Sequence, residues 1–100
     1  MAKVKVCKAS DVREGQGKVI FVEGRELALF KVNGEFFATA NTCPHQGGSL
    51  GEGSLNDDIV TCPLHEWQFN IKTGTSLLSE HIKLDSYKVE VNGEDVFIDF

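Results

Sequence analysis

The sequence predicts an all-β fold with antiparallel pairing, and three observations carry that prediction. Six segments alternate apolar and polar residues with a period of two. Neighbouring segments are separated by dipeptides that suit tight hairpins. No stretch combines helical periodicity with helix start and stop signals over a useful length.

In chain order the strands are residues 4–6 (VKV), 18–22 (KVIFV), 26–32 (ELALFKV), 35–40 (EFFATA), 86–91 (SYKVEV) and 95–100 (DVFIDF). Glu23-Gly24, Asn33-Gly34 and Asn92-Gly93 stand between them, where Gly and Asn tolerate the positive φ of a two-residue hairpin. The stretch SDVREGQG offers Ser10 as an N-cap and Glu14 near the capping-box spacing, but Gly15 and Gly17 limit it to one helical turn. There is no repeat, no low-complexity tract and no linker composition, so residues 1–100 read as a single domain. Residues 41–74 concentrate Gly, Pro and metal-ligand residue types, as a site set between two strand blocks would.

The bulk properties narrow the function. An apolar share of 41 % is ordinary globular usage for 100 residues, and a chain this short gains from a bound metal that staples loops together. Ten basic against fifteen acidic residues give a net charge of -5, which argues against nucleic acid and membrane surfaces and favours rapid encounter with a partner that shows a basic patch. The opening MAKVKVCKAS has no apolar signal region, and nothing approaches a membrane span, so a soluble protein is expected. If Cys43 and Cys62 bind metal, Cys7 alone is left and no disulfide can form within the chain, which fits the cytoplasm.

The chemistry lies in two mixed pairs. NTCPHQGG places Cys43 two residues before His45, and TCPLHEWQF places Cys62 three residues before His65, with sixteen residues between His45 and Cys62. That interval suits a short hairpin through SLNDDIV, turning at Asp57-Asp58, which would bring both tips together. A single zinc ion would accept all four ligands, although zinc sites usually group cysteine with cysteine and histidine with histidine. Two irons explain the mixing better, because each loop then places its thiolate on one iron and its imidazole on the other.

CPHQGG followed by CPLHEWQF resembles the Rieske iron-sulfur proteins. The resemblance is strong in the two loops and looser over the whole all-β chain. It implies a Rieske-type antiparallel β sandwich with a small cluster-binding subdomain. It also implies one [2Fe-2S] cluster per chain, with Cys43 and Cys62 on one iron and His45 and His65 on the other. Because two neutral imidazoles replace two thiolates, such a centre takes its electron at a higher potential than a four-cysteine ferredoxin.

The chain departs from the Rieske proteins of respiratory and photosynthetic complexes. Gly48 and Leu64 occupy the places of their disulfide cysteines, and Trp67 and Phe69 the places of the serine and tyrosine that donate hydrogen bonds to sulfur. Loss of those donors should lower the potential, to about -150 to 0 mV. Deprotonation of His45 or His65 should lower it further in alkali. The pattern therefore resembles the soluble, ferredoxin-type branch.

Around the ligands, Gly47 and Gly48 would let backbone N–H groups approach sulfur, and Pro44 and Pro63 would stiffen and cover the cluster. Leu64 and Trp67 complete the surroundings, Trp67 and Phe69 as core residues of a strand. Gly51 and Gly53 read as a flexible surface loop, His81 as solvated, and Cys7 as a small buried thiol. With His45 and His65 committed, only His81 is left for any oxygenase iron or hydrolytic triad. The resemblance thus implies an electron-transfer protein rather than an enzyme. It would accept one electron from a flavoprotein reductase and pass it to a terminal oxygenase, or serve as the small subunit of an NAD(P)H-dependent nitrite reductase. A structural zinc module is the third reading.

Overall fold

The computed structural model describes residues 3–42, 49–63, 67–78 and 81–99. Among the described residues there are nine strands: β1 (Lys3–Lys8), β2 (Gln16–Val22), β3 (Arg25–Val32), β4 (Glu35–Ala40), β5 (Ser54–Asn56), β6 (Ile59–Thr61), β7 (Gln68–Asn70), β8 (Ser86–Asn92) and β9 (Asp95–Asp99). They form a six-stranded antiparallel sheet in the order β1-β9-β8-β4-β3-β2 and a three-stranded antiparallel sheet in the order β5-β6-β7. No helix among the described residues is long and apolar enough to cross a membrane.

The six strands expected from periodicity are all present, and the turns explain two of their connections. At Glu23-Gly24 and at Asn33-Gly34 both central residues have positive φ (48° and 83°, 53° and 78°), which matches the twist of the flanking strands. The third turn is displaced by one residue. Asn92 still pairs with Asp95, so the loop is Gly93-Glu94, with Gly93 at φ 64°. The helical turn falls at Ala9–Asp11, and Ser10 lies inside it rather than capping it; the Asp11 carboxylate instead accepts from the N–H of Lys8 at 2.9 Å.

β3 has no solvent face over most of its length, because its two sides serve two cores. Leu27 and Leu29 pack with Val12, Ile20, Val22, Ala38, Val96 and Ile98. Ala28, Phe30 and Val32 pack the other way, against Leu50, Val60, Cys62, Phe69, Ile71 and Leu84. The first core also gathers Val4, Val6 and Cys7 from β1 at one edge of the large sheet and Ile20 and Val22 from β2 at the other, so the sheet curls round it. A bulge between Lys5 and Cys7 lets consecutive residues Val6 and Cys7 both turn inward. Cys7 is half-buried rather than fully buried.

The small sheet and the chain that follows it close the second core. Phe69 is bridged to Ser76, Leu77 donates its N–H to the Gln68 carbonyl at 3.0 Å, and Leu84 donates to the Gly74 carbonyl at 2.7 Å. Gly74 has φ 82°, and a Cβ there would lie 2.2 Å from the Leu84 carbonyl oxygen. The turn therefore admits only glycine.

Candidate metal centre

The segment that carries Cys43 and His45 leaves the large sheet at the end of β4. Ala40 donates to the Asp85 carbonyl at 2.8 Å, and Asn41 to the Glu26 carbonyl at 3.3 Å, which ties the exit to its neighbours. Thr42 and Ser49 then form an isolated antiparallel bridge, and Leu50 donates to the Asn41 carbonyl at 2.9 Å. Residues 43–48 are thus bounded by a closed neck. Cys43, Pro44, His45, Gly47 and Gly48 lie outside the described residues.

Beyond the neck comes a 3-10 turn, Leu50–Glu52, where the reading of Gly51 and Gly53 as a flexible surface loop is overturned. Gly51 is buried, and a Cβ on it would come within 2.8 Å of the Val19 side chain and 3.1 Å of Asn41 Oδ1. A Cβ on Gly53 would lie 2.2 Å from the Thr61 carbonyl oxygen. Both glycines allow close packing between the first loop and the two sheets. Nothing in their local sequence shows this, because the atoms they make room for come from β2 and β6.

The hairpin expected through SLNDDIV is β5–β6, turning at Asp57, whose φ is 53°. β6 pairs onward with β7, and the segment between them carries the second cysteine-histidine pair, Cys62 and His65. Thr61 faces Gln68, and one residue further the N–H of Cys62 donates to the Trp67 carbonyl at 2.7 Å. Cys62 is 0 % exposed and sits among Phe30, Leu50, Val60 and Phe69. Pro63 is exposed; Leu64 and His65 lie outside the described residues. Phe69 is buried, as expected of a core residue, and Trp67 is half-buried against the same core, with its ring centroid 6.4 Å from that of Phe69 and tilted by 43°.

The register between β5 and β6 fixes how the two segments relate. Ser54, at the start of β5, faces Thr61, at the end of β6. The first segment therefore feeds into the small sheet at the same end from which the second leaves it. One residue beyond that pair is Cys62, whose surroundings are apolar and closed to water. A buried thiol at the root of a loop, with a second cysteine and two histidines carried on the two neighbouring segments, is a donor set suited to an iron-sulfur group.

Two further side chains of metal-binding type, Cys7 and His81, lie in sequence outside the two mixed pairs. Cys7 has its thiol pKa raised, chiefly by burial and then by Asp11, which makes it a poor thiolate. His81 is exposed. The residue that the sequence reading passed over is Asn41, whose buried amide bonds to both Ser49 and Gly51. Its one visible signal was a polar residue at the end of an apolar strand, two positions before Cys43.

Comparison with known proteins agrees with this architecture. The ferredoxin component of biphenyl 2,3-dioxygenase from Rhodococcus jostii (strain RHA1) is 40% identical over 101 residues, spanning 99% of this chain and 94% of that protein. The 3-phenylpropionate/cinnamic acid dioxygenase ferredoxin subunit of Escherichia coli (strain K12) is 43% identical with the same coverage. Among solved structures, a complex of reduced oxygenase and oxidized ferredoxin in carbazole 1,9a-dioxygenase matches with a TM-score of 0.87 at 37% identity, over 96% of this chain and 91% of that one. A protein described as a nitrite reductase NADPH small subunit matches with a TM-score of 0.90 at 25% identity over 100% of both chains. The Rieske [2Fe-2S] domain accounts for residues 2–97. With two sheets of the observed topology, both loop necks at one end of the smaller sheet and a match over nearly its whole length, the chain belongs to the Rieske [2Fe-2S] family.

Proposed function

We propose that this chain is a cytoplasmic one-electron carrier, a Rieske-type ferredoxin that accepts an electron from a flavoprotein reductase and delivers it to a terminal oxygenase. In this reading Cys43 and Cys62 hold one iron of a [2Fe-2S] cluster and His45 and His65 the other. Residues 1–100 act as one domain, with residues 41–74 as its cluster-binding part. When bound, the cluster supplies reversible one-electron chemistry at a potential set partly by its uncharged imidazole ligands.

The observation that carries the reading is the register that roots both ligand segments at one end of the small sheet. Around it, the chain's own residues do three things. Cys62 is fully buried in the core that also holds Phe30, Leu50, Val60 and Phe69, which keeps water from it. The Cys62 N–H to Trp67 carbonyl bond closes the second segment at its base. Trp67 and Phe69 carry no hydroxyl where the Rieske proteins of respiratory and photosynthetic complexes have a serine and a tyrosine, so the reduced and more negative state lacks those two hydroxyl bonds. The dioxygenase ferredoxins at 40% and 43% identity support the oxygenase pathway. The nitrite reductase reading stands second, on a structural match at 25% identity.

Purified protein should be red-brown, contain two irons per chain and give a rhombic EPR signal on reduction. A colourless protein with one zinc per chain would falsify the cluster in favour of a structural zinc module. Reduction by an NADH-dependent flavoprotein followed by electron transfer to an oxygenase supports the carrier role, whereas co-purification with a large sirohaem protein replaces it with the nitrite reductase subunit.

A further inference from the structure

We propose that Asn41 is a positioning residue for the cluster: its buried amide holds closed the neck of the segment that carries Cys43 and His45, and so governs how tightly the cluster is retained. The proposal rests on the ligand set put forward above. Asn41 is 2% exposed, so its bonds are made away from competing water. Its Oδ1 accepts from the N–H of Gly51 at 2.7 Å and from the Ser49 hydroxyl at 3.3 Å, and its Nδ2 donates to Ser49 Oγ at 3.0 Å. Its own carbonyl accepts from Leu50 at 2.9 Å. One residue on the incoming side of the neck thus bonds three consecutive residues on the outgoing side.

The clamp has a rigid backing on each side. Gly51 is pressed against Val19 of β2, so its N–H cannot turn away to find another acceptor. Asn41 is itself tied to Glu26 of β3 through its backbone N–H. Removal of the amide leaves the Gly51 N–H buried and without its acceptor, and the cheapest relief is for the neck to part and admit water. The ligand segment would then lose its fixed ends while the strands that flank it stay in place. The two halves of the amide differ in weight. Oδ1 serves a buried N–H, whereas Nδ2 serves the half-buried hydroxyl of Ser49.

Three variants of the cluster-loaded protein test this: Asn41→Ala, Asn41→Asp and, as a control in the other core, Val96→Ala. The readouts are the rate of iron loss to a ferrous chelator, the EPR line widths of the reduced protein, and Tm. Asn41→Ala should release iron about tenfold faster, the effect of one buried donor left unpaired, and broaden the EPR lines. Asn41→Asp keeps the acceptor for Gly51 and should restore most of the retention. Val96→Ala should lower Tm yet release iron at the wild-type rate.

Iron loss from Asn41→Ala no faster than from Val96→Ala at an equal fall in Tm, or line widths equal to those of wild type, overturns the proposal. If Asn41→Ala does not fold, Ser49→Ala takes its place, with iron loss about twofold faster in support and an unchanged rate against. A wild-type protein with no rhombic signal would instead remove the ligand set itself, a different failure from a loaded wild type whose Asn41 variants behave normally.

Discussion

Gly53 and Thr61 lie so close that a Cβ on the glycine would come within 2.2 Å of the threonine carbonyl oxygen. Because Ser54 and Thr61 are cross-strand partners, this approach sits at the end of the small sheet where the segment after Cys43 and His45 arrives and the segment of Cys62 and His65 leaves. Gly53→Ala should therefore cost about 1–3 kcal/mol, as overpacking against backbone does, with strand separation focused on β5 and β6. Gly24→Ala makes the comparison, since nothing lies within 4 Å of that position and only its positive φ is disturbed. Chemical denaturation of both variants, with iron content measured alongside, should show cluster loss in Gly53→Ala alone. Retention of full iron content in Gly53→Ala would separate the packing from the site.

The missing hydroxyl donors make a prediction about potential. Trp67 and Phe69 occupy the two donor positions, and Phe69 is fully buried. Protein-film voltammetry should place the midpoint at about -150 to 0 mV, the low end for Rieske centres. A midpoint above about +200 mV, near the top of that range, would mean that other donors reach the sulfurs.

Glu14 supplies an acid-sensitive contact at the β3–β4 turn. Its carboxylate accepts from the backbone N–H groups of Gly34 and Asn33 and thereby caps the β3–β4 turn. These bonds, led by that from Gly34, hold its pKa below the ordinary glutamate range. A group whose pKa is depressed on folding contributes stability above its unfolded pKa and loses it as pH falls through the folded value. The contribution should thus be complete at neutral pH and fade below about pH 4.3. Urea melts of wild type and Glu14→Gln should differ most at neutral pH and converge in acid. A constant difference at all pH values would assign the effect to shape rather than charge.

Glu23 offers a stabilising change. It holds φ 48° in a turn where asparagine and glycine are the favoured pair. Glu23→Asn should raise stability by about 0.5–1 kcal/mol, since a side chain poorly suited to the left-handed region is replaced by one that tolerates it. Thermal melts decide the sign, and a fall in Tm would show that Glu23 makes a compensating contact.

The large sheet was legible in the sequence because its signals are local. Period-two alternation located all six of its strands, and the Glu23-Gly24 and Asn33-Gly34 dipeptides located two of its turns. The small sheet was legible in outline, through SLNDDIV and the alternation of Trp67 and Phe69. What escaped was whatever depends on distant chain. Gly51 and Gly53 read as loop residues because the atoms that crowd them belong to Val19 and Thr61. Asn41 gave no sign that its amide would reach across eight and ten positions. The return path through Gly74, Ser76 and Leu84 lacks periodicity because isolated bridges and single hydrogen bonds hold it.

The alternation of Leu27, Ala28, Leu29 and Phe30 makes β3 a party wall, and this limits how the chain can misassemble. A slip of one position would send Phe30 into the space shaped for leucine and put Ala28 where a larger group is wanted, spoiling both rooms at once. Neither half can settle into a wrong alignment while the other stays intact. The core around Cys62 is therefore shaped by the same proofreading step that shapes the core on the opposite face of β3.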